Sequence, residues 1–109
     1  MDLYNVIISP KALEQLDSYI SYIQYTLMNE QAAENVWRDA QETRDRLERC
    51  AGSLSLCVHP QLRALGYRII RFTHHRYVML YRLDGRNAIV EAIYHTLQDY
   101  ENTFSEDIP

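Results

Sequence analysis

Apolar residues recur every three or four positions over two long stretches in the first half of the chain. The first stripe consists of Leu13, Leu16, Ile20, Ile23 and Leu27. The second has the same spacing and consists of Ala33, Val36 with Trp37, Ala40, Thr43, Leu47 and Cys50. This period is that of an amphipathic α-helix with one buried face. The pattern therefore predicts two helices, each with one apolar side.

Capping residues mark where these helices begin and end. Ser9 is a good N-cap, and Pro10 follows it at the one helical position where proline is favoured. Asn29 interrupts the first pattern and is placed to cap the second helix, which Gly52 is placed to end. Because the connection between them is so short, we expect the two helices to fold back as an antiparallel hairpin.

The period changes to two in the second half of the chain. Residues 67–72, 77–83 and 88–95 alternate or form short apolar runs, which predicts three strands. Asp84-Gly85 is a turn signal between the last two, and His74-His75 falls near the turn between the first two. Residues 3–8 predict an N-terminal strand, and residues 53–66 predict a loop because they contain Pro60 and Gly66 without a clear period.

These elements together predict a single α+β domain over residues 1–109 with the order β-α-α-β-β-β. The helical hairpin packs on one face of a small, mainly antiparallel sheet, and the other face is left for Arg and Tyr side chains. Residues 98–104 predict a short C-terminal helix with Tyr100 and Phe104 on one side.

Composition agrees with an ordinary globular domain. The 109 residues are 47% hydrophobic and 24% charged with only three Gly and three Pro, which excludes disordered and collagen-like chains. Cys50 and Cys57 match no common zinc spacing, so we interpret them as free thiols in a reducing cytosol. No apolar run approaches the ~18 residues of a membrane span, and Asp2 does not suit a signal peptide. We expect a cytoplasmic protein without a membrane partner.

The net charge of −4 hides a segregation of charge along the chain. Residues 61–97 carry six Arg against two acids, whereas residues 98–109 carry four acids and no base. Ten of the eleven basic residues are Arg, whose planar fork suits carboxylate and phosphate groups. The basic segment indicates an anionic partner, and a solvated charged face is the alternative for any single Arg.

The elements also carry recognisable residues in a particular order. Leu62-Arg63 lies in the loop, Tyr67-Arg68-Ile69-Ile70 opens the meander, and Ile93-Tyr94-His95 closes it. Over nearly the whole chain this succession resembles the RelE/ParE superfamily of bacterial type II toxins. The ParE branch is the more similar one, on the long hairpin with Ala12, Leu16, Ile20, Tyr22, Ile23 and Ala32-Ala33.

That resemblance implies a partner and two possible activities. The partner is a cognate antitoxin whose C-terminal segment wraps the toxin. ParE-like members are linked to inhibition of DNA gyrase, whereas RelE-like members cleave messenger RNA on the ribosome without a metal. A third possibility is a chain that has lost toxicity and only binds its antitoxin. The resemblance implies no cofactor for any of the three.

For a RelE-like endoribonuclease, the resemblance places the catalytic residues at Arg63, Arg68, His95 and Tyr100. Arginine would clamp the phosphate, and histidine would carry a proton. Two features favour binding over cleavage. Thr96 stands where the family often has an arginine, and Lys11 is the only lysine in an acidic chain, so general attraction to RNA is weak.

His74 and His75 are predicted to be turn residues rather than metal ligands. Neighbouring residues on a strand point to opposite faces, so the two rings could not easily share one ion. Trp37 is predicted to lie in the core of the hairpin or to face the antitoxin, since an aromatic residue on a helical stripe usually packs.

Overall fold

The computed structural model describes residues 3–108 and contains one four-stranded sheet. Its strands are β1 (Asn5–Ile8), β2 (Arg68–Arg71), β3 (Tyr77–Asp84) and β4 (Asn87–His95). They lie in the order β1-β4-β3-β2, with β1 parallel to β4 and the other neighbours antiparallel. The predicted α+β fold, with an N-terminal strand and a mainly antiparallel sheet, is confirmed.

Both long helices start where their capping residues predict. The helices are α1 (Pro10–Ser21), α2 (Glu30–Cys50), α3 (Pro60–Ala64) and α4 (Tyr100–Asp107), and α1 continues into a π-helical turn over Tyr22–Thr26. The Ser9 hydroxyl accepts a hydrogen bond of 3.1 Å from the backbone N–H three residues later. The Asn29 side chain accepts the equivalent bond at the start of α2, at 3.0 Å. These bonds satisfy N–H groups that have no partner inside the helix.

The end of α2 differs from the expectation for Gly52. The helix tightens into a 3-10 turn over Ala51–Ser53, and Gly52 does not have the positive φ of a glycine C-cap. A Cβ atom built on Gly52 would lie 2.1 Å from the hydroxyl oxygen of Tyr4. Glycine is therefore needed here for close packing rather than for helix termination.

The predicted loop over residues 53–66 contains the helix α3, which the sequence pattern did not reveal. His59 precedes it, and its Nδ1 accepts a 3.2 Å hydrogen bond from the N–H of Gln61. Pro60 occupies the first helical position, where its missing N–H costs nothing. With only five residues, α3 is too short to show a hydrophobic period.

The hairpin of α1 and α2 packs on one face of the sheet. Leu16, Val36 and Leu47 are buried, as predicted, and form one core with Met79 and Ile93 of the sheet. Other members of the two stripes are less covered than predicted. Ile20 and Ile23 are partly buried against this core, and Leu13, Leu27 and Trp37 are about half exposed.

A second core covers the opposite face of the sheet. Its strand residues include Val78, Leu80, Ala92 and Tyr94, and α3 and α4 contribute Leu62 and Phe104. The expectation that this face is left to Arg and Tyr side chains is therefore wrong. The buried residues of β3 and β4 are apolar on both faces of the sheet, as is usual when both faces are covered.

One irregularity in the sheet places a charged side chain. The register between β3 and β4 shifts after Leu80, so Glu91 faces no partner residue and forms a bulge. Its carboxylate accepts hydrogen bonds from the Tyr67 hydroxyl at 3.0 Å and from Arg82 Nε at 2.5 Å. No helix among the described residues is long and apolar enough to span a membrane.

Candidate functional site

Arg68, a candidate phosphate clamp, is used inside the fold. It opens β2, and its guanidinium donates a hydrogen bond to the carbonyl of Leu54. Its strand partner on β3 is Tyr81, which is fully buried. An arginine held in this way fastens the segment after α2 to the sheet. The Arg68 side chain is partly buried.

The other three candidate residues lie on different elements. Arg63 is exposed on α3, Tyr100 is half-buried at the start of α4, and His95 ends β4. Along β3, His95 pairs with Tyr77 whereas Arg68 pairs with Tyr81, which puts them about 13 Å apart along the strand direction alone. Within residues 3–108, no hydrogen bond or ion pair joins any two of the four candidates.

His95 instead lies in a cavity with other polar residues. Its Nδ1 accepts a 3.1 Å hydrogen bond from the N–H of Leu97, and its ring packs edge-to-face on Tyr77 with centroids 5.1 Å apart. The cavity has a volume of about 430 Å³ and is mostly apolar. Its polar lining comes from the loop before β3, the end of β4 and the N-cap of α2, and consists of His74, His75, Arg76, Tyr77, His95 and Asn29. The sequence placed these histidines in a turn but did not show that they gather with His95.

Asp39 holds that loop against α2. Only 2% of Asp39 is exposed, and its carboxylate accepts hydrogen bonds from the N–H groups of Thr73 (3.2 Å) and His74 (2.9 Å) and from His75 Nδ1 (2.8 Å). Burial by itself raises the pKa of Asp39, but these three hydrogen bonds outweigh it and keep the pKa below its usual value. The partners of Asp39 are 34 to 36 residues away along the chain, so no local pattern on α2 identifies it as a buried residue.

The tip of the hairpin, residues 22–28, exposes an unusual set of large side chains. Tyr25 is 69% exposed and Met28 82% exposed, and Tyr22 and Leu27 are each more than half exposed. Met28 has a φ of +54°, which is uncommon for a residue other than glycine. The π-helical turn just before it is also a rare conformation that is frequent at functional sites.

Comparison with known proteins identifies the family. The family model described as "ParE toxin of type II toxin-antitoxin system, parDE" matches residues 6–100. The chain belongs to the ParE toxin family. It is therefore the toxin component of a type II toxin–antitoxin system, and a cognate antitoxin is its partner.

A solved structure supports the same fold for this ParE-family toxin. The chain is similar to one from the "Chromosomal ParDE TA system from P. aeruginosa", with a TM-score of 0.71 and 18% sequence identity. The match covers 87% of this chain and 98% of the other. A comparison with curated protein sequences finds no match. The predicted resemblance to the ParE branch is confirmed.

This ParE-family toxin has a second exposed feature, a groove beside its edge strand β2. The groove encloses about 640 Å³ and is lined on one side by the segment before α3 and on the other by the strand. Arg46 and Arg71 lie along it together with Tyr100 and Glu101. Arg46 donates a hydrogen bond of 2.7 Å to the Arg71 carbonyl, and Arg71 has no ion-pair partner among the described residues.

Proposed function

We propose that this ParE-family toxin acts in the bacterial cytoplasm by binding a protein target, with DNA gyrase as the expected target, and does not cleave RNA. The observation that carries this proposal is the exposed hairpin tip. Tyr22, Tyr25, Leu27 and Met28 present four large apolar or amphipathic side chains within seven residues.

Exposed side chains of this kind suit a protein interface. Tyrosine and methionine are enriched in the cores of protein interfaces, because they bury a large area and adapt to a partner's shape. Every protein surface carries scattered single apolar residues. Four of them at one end of a small domain form a patch, which is typical of an interaction site. The positive φ of Met28 supports the same conclusion, since unusual backbone conformations cluster at functional sites.

The placement of the nuclease candidates also favours binding. RNA cleavage needs a proton acceptor, a proton donor and a cation around one phosphate. Arg68 is tied to Leu54, whereas Arg63 and His95 lie on separate elements without a mutual contact in the described part of the chain. Thr96 supplies no cation at the end of β4.

A gyrase supercoiling assay tests the proposal. The purified toxin is expected to inhibit supercoiling, and the double variant Tyr25→Gln, Met28→Asn is expected to lose at least tenfold in potency. Asparagine is chosen at position 28 because it tolerates a positive φ. The control is Leu97→Gln, which removes an equally exposed apolar side chain far along the sequence from the tip and is expected to change nothing.

The competing activity is tested on the same proteins. Each is added to a translation extract with intact ribosomes, and the message is mapped by primer extension. Uncut message together with inhibited gyrase supports the binding proposal. Cuts at defined codon positions that disappear in Arg68→Ala, while that variant remains folded, would instead assign the RelE-like nuclease activity.

For the antitoxin, we propose that an acidic, extended segment lies in the β2 groove. The outer edge of β2 is already hydrogen-bonded to residues 55–57, so the groove offers side chains rather than a free strand edge. Arg46 and Arg71 supply positive charge along it, which suits an acidic segment. Arg71→Glu is expected to weaken the complex with the product of the neighbouring gene by about tenfold or more. Arg63→Glu, which makes the same charge change on α3 outside the groove, is the control. Equal affinities for the two variants would contradict this placement.

A further inference from the structure

A group of metal-ligating side chains lies where α2 meets the loop before β3. Asp39, Glu42 and His74 each offer one ligand atom, and these atoms all lie within 4.8 Å of one another. It is the one such group among residues 3–108. Asp39 and Glu42 are three residues apart on α2, so they share one face of the helix.

The spacing between two of the ligand atoms fits a tetrahedral ion. Glu42 Oε2 and His74 Nε2 are 3.6 Å apart. In a tetrahedral site with bonds of about 2.0–2.2 Å, neighbouring ligand atoms lie roughly 3.3–3.6 Å apart. An ion placed between these two atoms therefore needs almost no movement of either side chain.

Asp39 can supply a third bond without giving up its structural role. An ionised carboxylate has about four lone-pair sites. Three donors occupy it, the N–H groups of Thr73 and His74 and the ring of His75. One lone pair remains, and the hydrogen bonds hold the carboxylate in a fixed orientation, as the outer partners of metal ligands commonly do.

The local charge also favours a cation. The small cavity at this place is lined by Asn35, Arg38, Asp39, Glu42, His74 and His75. Arg38 is the cation among them, and it is directed to Glu34 in an ion pair of 3.1 Å. The carboxylates of Asp39 and Glu42 and the imidazole of His74 are then left to face the cavity.

We propose that Asp39, Glu42 and His74 form a binding site for a first-row transition-metal ion of the Zn²⁺ type. Imidazole with carboxylates suits zinc, whereas Mg²⁺ and Ca²⁺ prefer oxygen ligands alone. Water completes the coordination. Only one of the two adjacent histidines is a ligand. The proposal therefore keeps the expectation that His74 and His75 do not share an ion, but departs from the expectation that neither of them is a metal ligand. The bound ion links α2 to the loop that carries His75 and Arg76.

Zinc titration of the full-length, tag-free toxin tests the site, with a chromophoric chelator as competitor. One ion per chain is expected. Glu42→Gln and His74→Gln are each expected to weaken binding at least tenfold. The controls are Glu30→Gln on the same helix and His59→Gln before α3, which make the same chemical changes at residues outside the cluster. Circular dichroism of every variant verifies the fold.

X-ray absorption of the zinc complex gives an independent measurement, with one imidazole and otherwise oxygen ligands expected. Three results would overturn the proposal. They are equal affinity in the parent and both ligand variants, one ion shared by two chains, and a ligand set with two or more imidazoles. Loss of binding in the control variants would likewise assign the ion to another place.

Discussion

At the scale of single residues, three charged side chains of this toxin have roles set by buried or partly buried hydrogen bonds. Asp39, Glu91 and Arg68 all belong to charged types that usually face solvent, yet each is tied to distant backbone or side-chain groups. A buried polar group costs free energy unless it is paired, so these contacts define the local structure. The primary role of these residues is therefore to connect distant segments of the fold.

Arg68 and Arg63 provide a matched test of this conclusion. Arg68→Ala removes a hydrogen bond from a charged group, and we expect it to lower the free energy of unfolding by about 1.5–3 kcal/mol. Arg63→Ala, at an exposed position on α3, is expected to stay within about 0.5 kcal/mol of the parent protein. Chemical denaturation measures both. Similar stability of the two variants would show that the contact of Arg68 with Leu54 is unimportant.

Tyr67 predicts a change in stability at high pH. Burial first, and its hydrogen bond to Glu91 second, together raise the pKa of Tyr67 to about 12. The unfolded chain releases this proton near pH 10, so the folded state holds more protons between pH 10 and 12 and loses stability there as the pH rises. Between pH 8 and pH 11, the free energy of unfolding of Tyr67→Phe is therefore expected to fall by about 1.4 kcal/mol less than that of the parent protein.

Denaturation curves at pH 8 and pH 11 measure that difference, and Tyr22→Phe at the exposed hairpin tip is the control. It should leave the alkaline loss of stability as it is in the parent. If Tyr67→Phe also leaves the loss unchanged, then the phenol is not held neutral by its surroundings.

Residue roles were the hardest feature to predict from the sequence. The free thiols of Cys50 and Cys57 agree with the prediction from their spacing. The partners of Asp39 and Glu91 could not be predicted in the same way, because they come from other elements and depend on a bulge in β4. The exposure of the hairpin tip was also hidden, since Leu27 continues the apolar stripe of α1.

At the scale of elements, local signals were sufficient for the helix caps and the hairpin turn. The Ser9 and Asn29 caps and the Gly85 turn, which has a φ of +60° and links β3 to β4, depend on residues only a few positions away. The pairing of β1 with β4 joins segments about 80 residues apart, and no local pattern specifies it. The helix α3 was not predicted, because its five residues are too few to show a hydrophobic period.

The burial gradient along the hairpin predicts a gradient of stability effects. Leu47→Ala removes a fully buried side chain and is expected to cost about 2–5 kcal/mol. Ile20 is only partly buried against the same core, so Ile20→Ala should fall near the lower end of that range. Leu27→Ala, more than half exposed, should cost least. Urea denaturation ranks the three, and an unchanged midpoint for Ile20→Ala would contradict the packing of α1 on the sheet.

At the scale of the whole molecule, the toxin is three layers with one sheet between two unequal helical covers. The hairpin covers one face, and the short helices α3 and α4 cover the other. This second cover brings the acidic C-terminal segment back over the sheet, where Lys11 of α1 forms a 2.8 Å ion pair with Asp107. Exposed pairs of this kind contribute little, so α4 is held mainly by its apolar contacts and by the 2.8 Å hydrogen bond from the His59 N–H to the Glu101 carboxylate.

Phe104 is the residue that should decide whether the second cover is part of the cooperative fold. It is 3% exposed and packs edge-to-face on Tyr67 with ring centroids 5.0 Å apart. Phe104→Ala removes a large buried side chain, so we expect a loss of about 3–5 kcal/mol. Thr103→Ala, at an exposed position on the same helix, is expected to be nearly neutral. Thermal and urea unfolding measure both variants. A stable, fully cooperative Phe104→Ala protein would mean that α4 detaches without unfolding the sheet.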